Sequence, residues 1–250
     1  MRLTLWVTLV SLACVGLVSC ERKAPEPETT GTGTSTLKKP GAGSAALRDW
    51  EPLPIVLPRK AEPRDYTGHN FFAGIEDLAP VRREPRPDFM APADIKNVAF
   101  KKSVTSSTIH PFTGNLSQIV DGVKNASLYP EVELGNKLQW VQIDLGAAHE
   151  LWAIVVWHWH FHQRVYLDVI VQVADNPDFT TNVRTVFNND VDNSSGLGRG
   201  TDKLYVETFE GKLIDAKQQV AQYVRLYSNE NVLNDRSHYH EIEVYGRPVE

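Results

Sequence analysis

Cysteine is nearly absent from the 250 residues: there are two, Cys14 and Cys20, both close to the N-terminus. The remainder of the chain therefore has neither a disulfide nor a thiolate metal site. Positive charge is also in short supply. Against 26 Lys and Arg stand 31 Asp and Glu, a formal net charge of −5, and no basic stripe marks a nucleic-acid surface. A long amphipathic helical pattern is missing, as is any internal repeat. So is a Gly-x-Ser-x-Gly nucleophile elbow. The run Gly196-Leu197-Gly198-Arg199-Gly200 lacks the Lys-Ser/Thr of a phosphate loop and opens no helix. What the chain does have is 42% hydrophobic residues, enough for a sizeable core.

Met1-Arg2 precedes an apolar run, Leu3 to Val18, too short to span a bilayer comfortably. It closes in Leu17-Val18-Ser19-Cys20, a tetrapeptide that resembles the lipobox of bacterial lipoproteins. The resemblance implies a signal peptide over residues 1–19 and a lipidated Cys20. Each buried acyl methylene contributes about 0.8 kcal/mol, so more than one chain anchors stably. Glu21 rather than Asp after the cysteine implies the outer rather than the inner membrane of the cell envelope. Residues 20–48 are rich in Gly, Thr, Ser and Pro and predict a disordered tether. Residues 49–93 are proline-spaced around apolar side chains, and predict an extended segment that wraps partly along the following domain.

That domain, residues 94–250, is organised around Gln139–Tyr166. Val141, Ile143 and Leu145 alternate with Trp140, Gln142 and Asp144, which predicts a strand with one buried face. A short turn is expected at Gly146-Ala147-Ala148. Leu151 to Phe161, rich in β-branched and aromatic residues, predicts a central strand covered on both faces. Further strands are expected at 97–101, 166–174, 184–187, 205–209, 222–227 and 241–246, with one short helical piece at 115–120. The spacing predicts an all-β sandwich.

Five blocks then occur in order: Asn97-Val98-Ala99-Phe100-Lys101-Lys102-Ser103-Val104-Thr105-Ser106-Ser107; Ile119-Val120-Asp121-Gly122; Trp140-Val141-Gln142-Ile143-Asp144-Leu145-Gly146; Tyr223-Val224-Arg225-Leu226-Tyr227; and Glu241-Ile242-Glu243-Val244-Tyr245-Gly246. The ordered set resembles discoidin domains, also called coagulation-factor type C domains, across residues 97–247. The resemblance implies an eight-stranded, galactose-binding-like jelly-roll β-sandwich. Its loops at one end would bind sugars, lipid head groups or proteins, and it implies no catalytic machinery. It also implies a structural calcium held by Asp121 and Glu241, with Asn125 or Ser127 and backbone carbonyls completing the set. Here the loop after Asp121-Gly122 is longer than the family's and lacks its tryptophan, with Tyr129 in its place. Without a metal, Asp121 would cap the turn and Glu241 would form a surface pair.

Two other groups of residues carry possible chemistry. Asp190, Asp192 and Ser194 are spaced like the start of a calcium loop, but the glycine is displaced and no closing Glu follows at the right distance; a flexible polar loop is the expectation, with a loop that borders the ligand site as the alternative. Strand alternation would put His158, His160 and His162 on one side, with Trp157, Trp159 and Phe161 on the other. Two histidines at i and i+2 can share a zinc, with His238, His240 or Asp168 as third ligand. Sugar sites combine a stacking aromatic ring with planar polar groups, and His158, His160, Arg164, Tyr166, Asn189, Asn234 and His238 offer such a set. The first functional reading is thus a lipid-anchored module that binds carbohydrate and no nucleic acid. A structural lipoprotein docking a protein partner is the alternative, and a zinc-dependent hydrolase is a weaker third.

Overall fold

The structure, a computed structural model, describes residues 49–59, 72–125 and 131–249. The expected signal peptide, lipidation at Cys20 and tether lie outside the described residues, as does Ser127. The chain runs through β1 (Trp50–Pro52), β2 (Met90–Pro92), β3 (Lys96–Asn97), β4 (Ser103–Ser106), a 3₁₀ turn at Leu116–Val120, and β5 (Val132–Glu133). There follow β6 (Leu138–Trp157), β7 (Ile170–Ala174), β8 (Arg184–Asn188), β9 (Lys212–Asn229), β10 (His238–Tyr239) and β11 (Glu241–Pro248).

β6 is the spine. Gly146-Ala147-Ala148 does not turn the chain back: residues 138–157 form one continuous strand of 20 residues, bulged between Asp144 and His149. Both halves pair antiparallel with the same partner, β9, with Trp140 opposite Tyr227 and Val155 opposite Leu213. A hairpin would have paired the halves with each other. Gly146 adopts φ +82, and its N–H donates to Asp144 Oδ1 at 2.8 Å, so the apparent turn is a local kink. A bulge bends and twists its strand, and here it lets one strand serve both sheets of the sandwich.

The first half of β6 lies between β4 and the C-terminal half of β9, which continues to β7 and β8; the second half lies between β11, with β3 beyond it, and the N-terminal half of β9. Side chains of both halves, Val141, Ile143, Leu145, Leu151, Ile154 and Val156, enter one core with Leu226, Ile242 and Val244. The result is an all-β jelly-roll sandwich, and the five blocks that resemble discoidin domains all fall on its strands and turns. Expected strands also differ in extent: 97–101 becomes Lys96–Asn97, 166–174 shortens to Ile170–Ala174, 151–161 ends at Trp157, 184–187 runs to Asn188, 222–227 lengthens to Lys212–Asn229, and 241–246 to Pro248.

The second half of β6 is covered on its other face as well. Trp152, Ala153, Val155 and Trp157 pack with Leu53, Ala91, Ile95 and Tyr245 in a separate apolar cluster. The cover comes from the segment before the sandwich. β1 pairs with β2, the Leu53 N–H donates to Phe89 O at 2.9 Å, and Trp50 stands edge-on to Trp152 at 5.2 Å.

Residues 205–209 do not form a strand of a main sheet. They belong to a ladder of single bridges: Leu78 beside Leu204, Val206 beside Val165, and Tyr166 beside Asn231. The Ala79 N–H donates to Leu204 O at 2.8 Å and the Glu207 N–H to Arg164 O at 2.8 Å. This ladder fixes the strap, residues 77–89, to the loops at the end of β6.

Candidate functional site

Between the strap and the end of β6 lies a cavity of about 490 Å³, walled on one side by residues 79–86 and on the other by 160–163 and 205–213. The turn at its base is shaped by a close approach. Gly211 takes φ +66, and a Cβ there would stand 2.7 Å from the Trp157 indole. Trp157 Nε1 donates to Phe209 O at 3.0 Å, which closes the turn over the ring. Arg86 holds the strap against the same turn, donating from Nη1 to Glu210 O at 3.0 Å and Gly211 O at 3.1 Å, while its backbone N–H donates to Glu210 Oε1.

Three lining residues carry buried polar atoms without a hydrogen-bond partner: His160 Nε2, Tyr205 Oη and Glu207 Oε2. His160 uses Nδ1–H toward His158 O at 3.1 Å. Burial lowers its pKa, so at neutral pH Nε2 presents a lone pair. Glu207 spends its other oxygen on His158, whose Nδ1–H donates at 2.5 Å. Burial raises the Tyr205 phenol, and neighbouring Glu207 raises it further, so the group stays protonated. Buried polar atoms in native proteins are nearly always paired; here three unpaired ones border an opening lined also by Phe161 and Phe209.

Behind this wall stands a packed polar network. β6 ends at Trp157, so strand alternation stops there, and His158, His160 and His162 do not share a face. His158 and Tyr166 are fully buried, stacked at 4.3 Å, and Tyr166 Oη meets His238 Nδ1 at 2.9 Å. Arg164 lies 4.1 Å over the Trp159 ring and donates weakly to Asn231 Oδ1 at 3.4 Å. Burial, then the charge of Arg164, lowers His238 to about 3; burial, then His160, lowers His240 to about 3. These rings are neutral structural parts.

Of the residues expected to contact ligand, only His160 lines the cavity. His158, Arg164, Tyr166 and His238 converge with one another, but beneath the surface. Asn234 is exposed on the 231–236 turn, where its Oδ1 accepts from Asn231 Nδ2 at 2.5 Å. Asn189 is buried elsewhere, accepting the Val169 N–H at 2.7 Å. Glu207, Tyr205, Lys212 and the strap arginines were not identified from sequence. A Glu at an alternating position within Tyr205–Phe209 was the available signal, since a buried carboxylate requires a partner.

The carboxylates fall into two groups. Asp190 Oδ1 accepts the Ser194 N–H, and Oδ2 the Ser195 N–H, each at 3.0 Å, while Oδ2 also accepts the Ser195 hydroxyl. Asp168 Oδ2 accepts from Ser194 Oγ at 2.9 Å and Asn229 Nδ2 at 2.7 Å. The loop is thereby ordered around its acids. Asp168, Asp190 and Asp192 bring one oxygen each within 4.8 Å of one another, the one such three-residue grouping of His, Cys, Asp or Glu among the described residues. Among the described residues, no three His, Cys, Asp or Glu that include a histidine of the 158–162 stretch come within that distance of one another.

At the other group, Asp121 Oδ1 accepts the Val123 N–H at 2.8 Å. Glu241 is buried rather than a surface pair: Oε2 accepts the Gly122 N–H at 3.1 Å and Oε1 has no partner. Burial pushes its pKa up to about 9, with Glu243 and Asp121 adding to the rise. Lys124 does not serve Glu241; its Nζ pairs with Glu243 Oε1 at 2.6 Å. An orphaned carboxylate oxygen facing further negative charge fits a cation. Asn125 is exposed nearby.

No family model matches the chain, and no curated protein does. Solved structures do. One is a family 89 glycoside hydrolase from Clostridium perfringens, 19% identical over 61% of this chain, with a TM-score of 0.46; this chain spans 15% of that protein's length. A chitosan-binding module of a chitosanase/glucanase from Paenibacillus sp. IK-5 is 21% identical, TM-score 0.39, over 60% of this chain and 99% of the module. A fucose-binding module from Streptococcus pneumoniae is 17% identical, TM-score 0.41, over 60% of this chain and 97% of the module. These likenesses concern the fold, and no residue's role is taken from them.

Proposed function

We propose that the chain is a carbohydrate-binding module of the cell envelope, held to the outer membrane by lipid at Cys20, and that its site is the cavity under the strap. The observation that carries this is the set of unpaired buried atoms, His160 Nε2, Tyr205 Oη and Glu207 Oε2, on a wall that includes Phe161 and Phe209. A pyranose offers the matching chemistry: an apolar ring face for an aromatic side chain and hydroxyls that both donate and accept. A hydroxyl donating to His160 Nε2 and another donating to Glu207 Oε2 would satisfy atoms the fold leaves unpaired. Leaving buried groups unpaired costs roughly 1–3 kcal/mol each, and that cost is recovered on binding.

Calcium at Asp121 and Glu241 is proposed as a structural ion, remote in role from sugar contact. Its support is the unpaired Glu241 Oε1.

The test is a glycan array probed with the full-length chain, followed by His160→Ala and Phe161→Ala. Selective binding, weakened at least about tenfold by each substitution with unchanged melting, upholds the reading. Binding that survives both substitutions moves the site elsewhere.

A further inference from the structure

We infer that the saccharide taken by this cavity is acidic, a pyranose bearing a negative charge, received by Lys212 together with Arg82 and Arg83 of the strap. The inference rests on the carbohydrate reading of the same cavity and adds the ligand's charge.

Lys212 carries the argument. It lines the cavity, and its Nζ stands 4.8 Å from the Tyr205 ring centroid and 4.9 Å from that of Phe187. No carboxylate reaches it: among the described residues it has no ion pair and no hydrogen bond. Burial lowers its pKa, opposed by the charges of Asp202 and Glu207. A partly buried ammonium without a direct ion pair is an uncommon arrangement, because taking a charge from water is costly unless it is paired.

The surrounding charges leave the same vacancy for an anion. Arg83 is exposed, and among the described residues it has no hydrogen bond or ion pair. Among the described residues, Arg82 donates to the backbone carbonyls of Glu84 and Pro85. Of the lining acids, Glu207 has one oxygen on His158, Glu210 accepts the Arg86 N–H, and Glu84 is exposed on the strap. The chain as a whole is acidic, at −5, so the gathering of Arg82, Arg83 and Lys212 around one opening is not a reflection of composition. A planar carboxylate matches a guanidinium in two parallel hydrogen bonds, and an ammonium serves it as a point charge. The strap supplies the two arginines, so the site is a composite of the sandwich and the segment before it.

The decisive experiment is calorimetric titration of the full-length chain with three matched ligands: a neutral oligogalactose, an oligogalacturonate and a sulfated oligogalactose. Each is repeated with Lys212→Met, which keeps the aliphatic stem over the rings, and with Arg83→Glu, an exposed change that leaves folding intact. The expected result is at least about tenfold tighter binding of an acidic ligand than of the neutral one at low salt. That preference should shrink at roughly 0.5 M salt and vanish in both variants, because the acidic ligands weaken more than the neutral one. Preference for the uronate assigns a carboxylate as the anion, and preference for the sulfated ligand assigns a sulfate. Equal affinity for all three, or equal weakening of all three by Lys212→Met, overturns the acidic ligand and leaves the carbohydrate reading standing. Binding of none of them, alongside a blank glycan array, overturns both.

Discussion

Glu207 and Asp190 are both fully buried acids, 1% and 0% exposed, yet the chain serves them in opposite ways. Asp190 sits inside its own loop, where two backbone N–H groups and the Ser195 hydroxyl turn toward it. Glu207 receives His158 on one oxygen and nothing on the other. The first acid builds a loop and has no acceptor capacity to spare. The second is under-satisfied at the edge of a cavity. Burial of charge alone therefore does not mark a site; unmet hydrogen-bonding capacity beside open volume does.

The sharpest way to break this contrast is to remove each carboxylate. Glu207→Ala should cost about 4 kcal/mol, because His158 is left in the interior without its partner, and it should abolish glycan binding. Urea unfolding checks the first effect and calorimetry the second. Glu207→Gln keeps volume and one acceptor, so its stability loss should be nearer 1–2 kcal/mol, with binding still weakened. Asp190→Ala should cost about 2 kcal/mol, from loop donors that lose their acceptor, and should leave glycan affinity unchanged. Faster hydrogen exchange confined to residues 191–199 would accompany it. If Asp190→Ala also weakened sugar binding, the two acids would not be functionally distinct.

Much of the sandwich was legible because period-2 alternation reports burial directly, as in Val141, Ile143 and Leu145. Pairing was not legible. Gly146-Ala147-Ala148 reads as a turn by local chemistry, and only the continuous partner β9 decides that the chain goes straight on. The histidines were found, but their directions depended on the strand running to Phe161, and it stops at Trp157. The cavity could not have been read at all. Its walls come from residues 79–86, 160–163 and 205–213, and their meeting depends on the bridges of Leu78 to Leu204 and Val165 to Val206, which leave no periodic trace.

Glu241 resembles Glu207, with one oxygen paired and the other not, and its protonation turns that into a pH dependence. Its folded-state pKa is raised to about 9, above the ordinary value near 4.5. The folded chain then holds a proton that the unfolded chain has released. This contribution to stability is fully present below about pH 4.5 and is lost as pH rises toward 9, by at most ~1.4 kcal/mol per pH unit. Thermal melts in chelator should show the fall, and Glu241→Gln should flatten it, so that the variant is the more stable of the two at pH 8. Calcium should raise the melting temperature of the natural chain at pH 8 and leave that of the variant unmoved. A flat profile in the natural chain would mean that Glu241 stays ionised.

The smallest effect concerns the strap that completes the cavity. Trp50 is 56% exposed and meets Trp152 edge-on at 5.2 Å, so Trp50→Ala should cost only about 0.5–1 kcal/mol. The informative quantity is glycan affinity. If β1 and β2 hold the strap in place, loosening them displaces Arg82 and Arg83, and acidic-ligand affinity falls several-fold although no contact residue has changed. If affinity is constant, the bridge at Leu78 and the Arg86 bonds to Glu210 and Gly211 position the strap without help. In that case Arg86→Ala, and not Trp50→Ala, is the substitution that opens the cavity. The two outcomes separate a clasp that serves stability from one that serves recognition, the same division that Asp190 and Glu207 draw within the loops.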